Sequence, residues 1–324
     1  MTNRPLPSPP KPRPWPWWLA PLLATGIAVQ GGGGEGAPRA LAQGAPSGSI
    51  YQRGAEADSA GSGERVVAAM IAGLGRAESI SARVRQLARV GDVVLKGGGR
   101  YVQSGTGVEQ RFRLESRLSA DTETFDLLEV CDGLFLWNFR QLGMQSPTVQ
   151  RIDVQRVHEQ LERLQVGQRP SDGPYLGGIQ RMLMLVRERF EFAEPVAEEL
   201  DGMPVWRVDG SWNRRRLAEL LPDQAEAIDL PAGITAADLP EGLPWSVRLS
   251  VGRRDLFPFR IEWLAIPGPR PVAATAPDVV TVFELYDVRI GEPVDATAFV
   301  YKPAIEGLID VTDQFVRNLS PMRP

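Results

Sequence analysis

The sequence predicts an α+β fold, in which a large antiparallel β-sheet is accompanied by a few helices. Two observations support this prediction. A few segments carry apolar residues at helical spacing, whereas most of the remaining patterned sequence has the period-two alternation of half-buried strands. Asp-Gly pairs separate neighbouring strand patterns, as they do in β-hairpins. Hydrophobic residues make up 43% of the 324 residues, so the chain can bury a substantial core.

The amino terminus is typical of a targeting segment. Arg4, Lys11 and Arg13 precede an apolar run over residues 15–29, and Ala40-Leu41-Ala42 matches the small-residue site that signal peptidase cleaves. We expect residues 1–42 to be an export signal cleaved near Ala42. The alternative is an uncleaved membrane anchor, because the apolar run approaches the length of a membrane span. Either arrangement makes the rest of the chain periplasmic or otherwise extracytoplasmic.

The folded domain is expected to begin with an amphipathic helix. Residues 43–62 are rich in Gly, Ala, Ser and Pro, which predicts a disordered linker. A single domain is expected over 63–318, followed by a short tail at 319–324. Its first segment carries apolar residues at helical spacing, before Gly75 ends the run: Val66, Val67, Met70, Ile71 and Leu74.

Strand patterns follow this helix. The run RFRLESRL at 111–118 alternates strictly, placing Phe112 and Leu114 on one face and arginines on the other. Apolar stretches flank Asp132-Gly133, which predicts a hairpin with a type I′ turn, and Asp201-Gly202 repeats the arrangement. The glycines at 97–99 indicate a bend or bulge in a curved sheet.

The second half of the chain alternates between the two patterns. Helical spacing returns at 154–164 and 175–190. Residues 213–244 predict one short helix followed by a loop rich in Pro, Gly and acidic residues. Loops of this length are often functional or mobile. Strand patterns resume at WSVRLSVG, FPFRIEWLAI, DVVTVFELYDVRI and AFVYKP.

Composition and motifs argue against several classes of protein. A net charge of -4, from 36 Lys and Arg against 40 Asp and Glu, gives no general attraction for nucleic acid. One cysteine and one histidine do not make a disulfide or a zinc or copper site, and no metal or other cofactor is expected. Nucleophile-elbow, Walker A and H-E-x-x-H motifs are absent from the sequence, so we expect a protein without catalytic residues. The apolar pattern around Cys131 favours a buried structural thiol over a reactive one.

The order of these segments resembles the periplasmic outer-membrane lipoprotein carrier (LolA-like) family over roughly residues 63–315. The matching motifs are Asp132-Gly133 followed by Leu136-Trp137, and Val294-Asp295-Ala296 leading to Phe299, Pro303 and Ile309-Asp310. The resemblance implies an unclosed antiparallel barrel covered by helices. It also implies that the protein shields lipoprotein acyl chains and hands them to a membrane-associated partner.

One departure from the family pattern concerns the helical lid. Carriers that deliver lipoproteins have a basic residue and a proline before an early strand, where the arginine holds the lid. This chain has Gln103-Ser104 at the corresponding place, so the resemblance carries over no lid-holding arginine. A variant of the standard role is therefore expected, with another lipid as cargo or with a sensing function.

A carrier of acyl chains needs a concave apolar wall, because the chains offer no hydrogen bonds. The candidate wall residues lie in strand patterns: Phe112, Leu114, Phe135, Trp137, Phe139, Trp206, Trp263 and Phe283. Each of these could equally be an ordinary core residue. Two classes of function therefore stay open. The first is a binder or carrier of lipid or lipoprotein acyl chains, and the second is a non-catalytic envelope interaction or scaffold protein with a filled barrel.

Overall fold

A computed structural model describes residues 63–90, 93–120, 123–163, 176–230, 234, 238–240, 242–265, 279–303 and 307–319. The expected export signal or anchor at 1–42, the expected linker at 43–62 and residues 320–324 of the expected tail lie outside the described residues. None of the described helices is both long and apolar enough to cross a membrane.

The described chain contains helices and strands with the following bounds. The helices are α1 (Gly63–Arg76), α2 (Val154–Arg163), α3 (Gly178–Arg189), α4 (Arg214–Leu220), α5 (Ala225–Asp229) and α6 (Thr312–Leu319). The strands are β1 (Ser79–Val90), β2 (Val93–Ser104), β3 (Arg111–Ala120), β4 (Glu123–Cys131), β5 (Phe135–Leu142), β6 (Thr148–Asp153), β7 (Phe190–Phe192), β8 (Val196–Leu200), β9 (Met203–Trp212), β10 (Ser246–Gly252), β11 (Pro258–Leu264), β12 (Val279–Ile290) and β13 (Leu308–Asp310).

The strands form one 13-stranded sheet in the order β13-β6-β5-β4-β3-β2-β1-β12-β11-β10-β9-β7, with β8 also paired to β9. Neighbouring strands run antiparallel, except for the parallel pair of β13 and β6 at one edge. The two end strands, β13 and β7, do not pair with each other within the described part of the chain, so the sheet curves without closing. The α+β fold with an unclosed antiparallel barrel is therefore confirmed.

Helices cover one face of the sheet, which we call the inner face. Val67, Met70 and Leu74 of α1 are buried in the main apolar cluster together with Val84 of β1 and Leu285 of β12. These α1 positions are the ones that helical spacing marked in the sequence, so the amphipathic helix is confirmed. The outer face carries many of the charged residues of the strands, as the alternation in β3 predicted.

Three consecutive glycines bring β2 close to both of its neighbours. A Cβ atom at Gly97 would overlap the carbonyl oxygen of Arg117, and one at Gly99 would overlap that of Glu115, both on β3. A Cβ atom at Gly98 would overlap the Val84 carbonyl on β1. The pairing of β1 with β2 runs unbroken along both strands, so the glycines permit a close backbone approach and form no bulge.

The two Asp-Gly hairpins use different turns. Asp201 and Gly202 both have positive φ angles, 49° and 82°, as a type I′ turn requires, and this turn is confirmed. The β4–β5 hairpin is also confirmed, but its type I′ turn is wrong, because Asp132 is not among the residues with positive φ. The Asp132 carboxylate instead accepts hydrogen bonds from the N–H groups of Leu134 (2.8 Å) and Phe135 (2.7 Å), which stabilise a connection one residue longer.

The strand predicted at AFVYKP, residues 298–303, is wrong. Ala296–Phe299 form a 3₁₀ turn instead. The Asp295 side chain starts this turn by accepting a hydrogen bond from the Thr297 N–H at 2.8 Å, which offers the backbone an alternative to strand pairing. Beyond the turn, Tyr301 packs its ring edge-on against Trp137, with 5.9 Å between ring centroids.

Candidate functional site

The inner face of β1 to β5 is divided into three zones. Directly opposite residues of paired strands share a face, so the strand register assigns each side chain to the inner or the outer face. The zone beneath the helices belongs to the main apolar cluster, which we call the helix-side cluster. A polar band follows: Gln86, Ser116, Glu129, Asn138 and Arg140. Beyond it lies a second apolar group, the distal cluster: Ala88, Val93, Leu95, Leu118, Phe125 and Leu127.

Five of the predicted wall residues belong to the helix-side cluster. Phe112, Trp263 and Phe283 are buried in it, with 3%, 2% and 1% of their surface exposed. Leu114 and Trp206 are partly buried and pack against the same cluster. This part of the inner face is therefore filled by the side chains of the protein itself, including those of α1 and α3.

The other three predicted wall residues lie on the outer face. Leu136 of β5 lies opposite Cys131 and belongs to the helix-side cluster, so its neighbours Phe135 and Trp137 point the other way, and so does Phe139. These three residues take part in an outer cluster with Val130 and Val149. They do not line the inner face, because a difference of one residue exchanges the two faces of a strand.

Phe139 also borders a hollow on the outer face of about 460 Å³. Its walls combine apolar and ion-paired residues, and they include three residues of inner-face positions, Gly99, Ser116 and Leu127, besides Gly98, Glu115, Arg117, Asp126, Leu128 and Phe139. Arg117 forms an ion pair with Asp126 across this hollow. A lining with so many charges is poorly suited to a hydrocarbon chain.

The distal cluster is the apolar surface that sequence reasoning missed. All six of its buried members come from β1 to β4, with Leu142 of β5 packed against them, and they are only 0–7% exposed. No residue of a described helix belongs to it. The alternation of β3 indicated Leu118 as an inward-facing residue, but the strand pairing that gathers the other members is not visible in the sequence.

Glu129 lies at the centre of the polar band. Its carboxylate accepts a hydrogen bond from the Gly178 N–H at the start of α3, at 2.9 Å. Burial raises the pKa of Glu129, whereas this hydrogen bond and the charges of Arg181 and Arg140 act in the opposite direction. The carboxylate therefore joins β4 to the N-terminal end of α3, where the helix dipole favours negative charge.

A buried amide ties α1 to the sheet. Gln103 of β2 donates hydrogen bonds from Nε2 to the carbonyl oxygens of Leu74 (3.0 Å) and Ala77 (3.4 Å). Its Oε1 atom accepts a hydrogen bond from the Tyr101 hydroxyl at 2.7 Å, and burial raises the pKa of that hydroxyl. Gln103 thus holds the end of α1 through a neutral side chain. The family pattern has a basic residue at the corresponding place.

Cys131 is expected to be unreactive in the native protein. It is 2% exposed, and burial raises the pKa of its thiol to about 11, so little thiolate exists at neutral pH. We expect the native thiol to react with 5,5′-dithiobis(2-nitrobenzoate) far more slowly than the unfolded one. Cys131→Ser should leave any ligand binding within a few fold of wild type, as measured by fluorescence titration. A complete loss of binding in a folded Cys131→Ser protein would show that the thiol contributes to function.

Comparison with known proteins gives structural similarities alone. No family model and no curated protein match the sequence. Among solved structures, the chain is similar to a LolA superfamily protein from Nitrosomonas europaea, with 11% identity, 75% of this chain and 99% of the other covered, and a TM-score of 0.25. It is also similar to a DUF1329 family protein from Desulfovibrio piger, with 10% identity, coverage of 74% and 96%, and a TM-score of 0.31.

A third similar structure is the Mycobacterium tuberculosis lipoprotein LppX, with 11% identity, coverage of 72% and 98%, and a TM-score of 0.28. The matching structures thus include a member of the LolA superfamily, the family that the sequence resembles. All of these similarities are low, so the function is inferred from the contacts within this chain.

Proposed function

We propose that the protein is a non-catalytic, extracytoplasmic binder or carrier of lipid or lipoprotein acyl chains. The observation that carries this proposal is the distal cluster, a buried apolar group to which the described helices contribute no residue, on the inner face of a sheet that does not close. An acyl chain lying along Leu118, Phe125 and Leu127 would meet only apolar side chains, while the polar band would lie at one end of it.

The energetics of such a site are favourable for long chains. Each methylene that leaves water gains about 0.8 kcal/mol, so burial of part of one chain supports useful affinity. Because the cluster residues are themselves buried, the chain would have to replace contacts that the protein makes in its absence. Because β13 and β7 do not pair within the described chain, the sheet can change its curvature around a ligand, which a closed barrel resists.

Two adjacent leucines of β4 provide a matched test. Leu127 faces the distal cluster, whereas Leu128 faces the outer side and packs on the outer cluster. In titrations with a fluorescent fatty acid, we expect Leu127→Asn to weaken binding by about tenfold or more, in line with the loss of one buried leucine contact. Leu128→Asn should bind like wild type. Equal effects of the two substitutions, with equal folded fractions by circular dichroism, would contradict the assignment of the inner face.

The filled helix-side cluster favours a second candidate function. Phe112, Trp263 and Phe283 are almost fully buried among the side chains of that cluster, as expected of an interaction or scaffold protein that retained the curved sheet and packed its interior. The fatty-acid titration separates the two candidates. A scaffold would show no saturable binding in the wild-type protein, whereas a carrier would bind in proportion to protein concentration.

A further inference from the structure

We propose that the polar band holds the anionic headgroup of an amphiphile through Arg140 and Arg181, with the hydrocarbon tail lying along the distal cluster. This inference rests on the proposed function and adds the chemical class of the ligand to it. A fatty-acid carboxylate and a lipid phosphate share the chemistry that two guanidinium groups recognise.

The positions of the two arginines follow from the strand register and from α3. Arg140 of β5 lies directly opposite Leu127 and diagonally from Glu129, so the guanidinium lies on the inner face at the border of the distal cluster. Arg181 lies three residues after Gly178, whose N–H donates to the Glu129 carboxylate. Both arginines are close enough to Glu129 to affect its ionisation.

Two arginines share the buried carboxyl group of Glu129. Arg140 and Arg181 both interact with Glu129; burial lowers the pKa of both arginines and raises the pKa of Glu129. Glu188 interacts with Arg181 and Arg189 and forms an ion pair with Arg216 at 2.9 Å, while Arg216 also pairs with Glu219. The Tyr101 hydroxyl and the Cys131 thiol stay protonated, because burial raises the pKa of both. Glu129 is the carboxyl group that acts on Arg140, and it is shared with Arg181.

The Arg140 guanidinium also has unused hydrogen-bonding capacity. The Nε atom of Arg140 is buried and has no hydrogen-bond partner among the described residues. Buried polar groups usually have partners, so the unpaired Nε atom of Arg140 is available to a ligand at the border of the distal cluster.

The geometry also fixes the direction of the ligand. Arg140 and Leu127 are cross-strand neighbours, so a headgroup at Arg140 places the first methylenes against Leu127 and directs the tail towards Phe125 and Leu118. The Arg140 side chain would thus select for charge, and the distal cluster would select for length.

Three single-chain ligands test the proposal in the full-length protein: oleate, oleoyl lysophosphatidate and oleyl alcohol. We expect the wild-type protein to bind both anions about tenfold more tightly than the alcohol, since hydrogen bonds between charged groups contribute this much or more. Arg140→Gln should remove that preference and leave the affinity for the alcohol unchanged. Arg140→Lys, which keeps the charge, should retain most of the preference. The tighter of the two anions identifies the headgroup as carboxylate or phosphate.

The controls separate the possible failures. Arg117→Gln removes an outer-face arginine whose side chain is 72% exposed, and it should change none of the three affinities. If Arg140→Gln does not fold, Arg181→Gln provides the same comparison from α3. Equal wild-type affinity for all three ligands, or an equal loss for anions and alcohol in Arg140→Gln, would overturn the headgroup site and leave the acyl-chain site standing. Failure of all three ligands to bind would overturn the proposed function itself.

Discussion

Gly99→Ala is expected to destabilise the protein by about 3 kcal/mol or more, because the added methyl group meets backbone that side-chain movement does not relieve. The Cβ atom would overlap the Glu115 carbonyl oxygen of the paired strand β3. Relief of this overlap requires β2 and β3 to separate, which breaks the curvature on which the distal cluster depends. The free energy of unfolding from urea denaturation measures the effect.

Gly107→Ala is the control for this prediction. Gly107 has a positive φ angle of 58° and open space around it, so alanine there meets only backbone strain. We expect a loss of about 1–2 kcal/mol, the usual cost of an L-residue in the left-handed region. If Gly99→Ala lost no more stability than Gly107→Ala, the close approach of β2 to β3 would not be a constraint on the fold.

Gln103→Leu is expected to lower the free energy of unfolding by about 2–4 kcal/mol and to loosen the end of α1, because three buried polar groups lose their partner. These groups are the Tyr101 hydroxyl and the carbonyl oxygens of Leu74 and Ala77. Hydrogen exchange should accelerate in the last turn of α1 more than in β2, since the amide is the side-chain tie between them. Urea denaturation and exchange mass spectrometry together measure both effects.

Gln141→Leu supplies the matched comparison. Gln141 donates hydrogen bonds to the carbonyl oxygens of Gly143 (3.3 Å) and Gln145 (2.6 Å) in the loop after β5, where water can replace them. We expect a change within about 0.5 kcal/mol, as for other surface substitutions. Equal losses in Gln103→Leu and Gln141→Leu would mean that the buried amide does not hold α1 to the sheet.

Local patterns were sufficient to predict much of the fold. The strict alternation of β3 correctly gave the inward-facing side of Phe112 and Leu114, because charged and apolar residues differ clearly there. Helical spacing gave α1, and the Asp201-Gly202 pair gave a type I′ turn, because both signals depend on residues close in sequence. The prediction of these elements does not depend on knowing which strands pair with each other.

The inner face of β5 could not be predicted in the same way. Leu136 and Trp137 are adjacent and both apolar, so the sequence of this strand does not distinguish its two faces, and only pairing with β4 settles the matter. The proposed headgroup site was harder to predict, because Glu129, Arg140 and Arg181 come from three separate elements. In the sequence, Arg140 and Arg181 cannot be distinguished from surface arginines.

The most direct test of the account is a mass measurement of the full-length protein as purified from the envelope fraction of its expression host. Native mass spectrometry should show a population carrying one lipid-sized adduct, and organic extraction should release an amphiphile with an anionic headgroup. Leu127→Asn should carry much less of it than Leu128→Asn. An adduct-free mass for the wild-type protein, with no uptake of added oleate, would contradict the claim that the inner face accommodates an acyl chain.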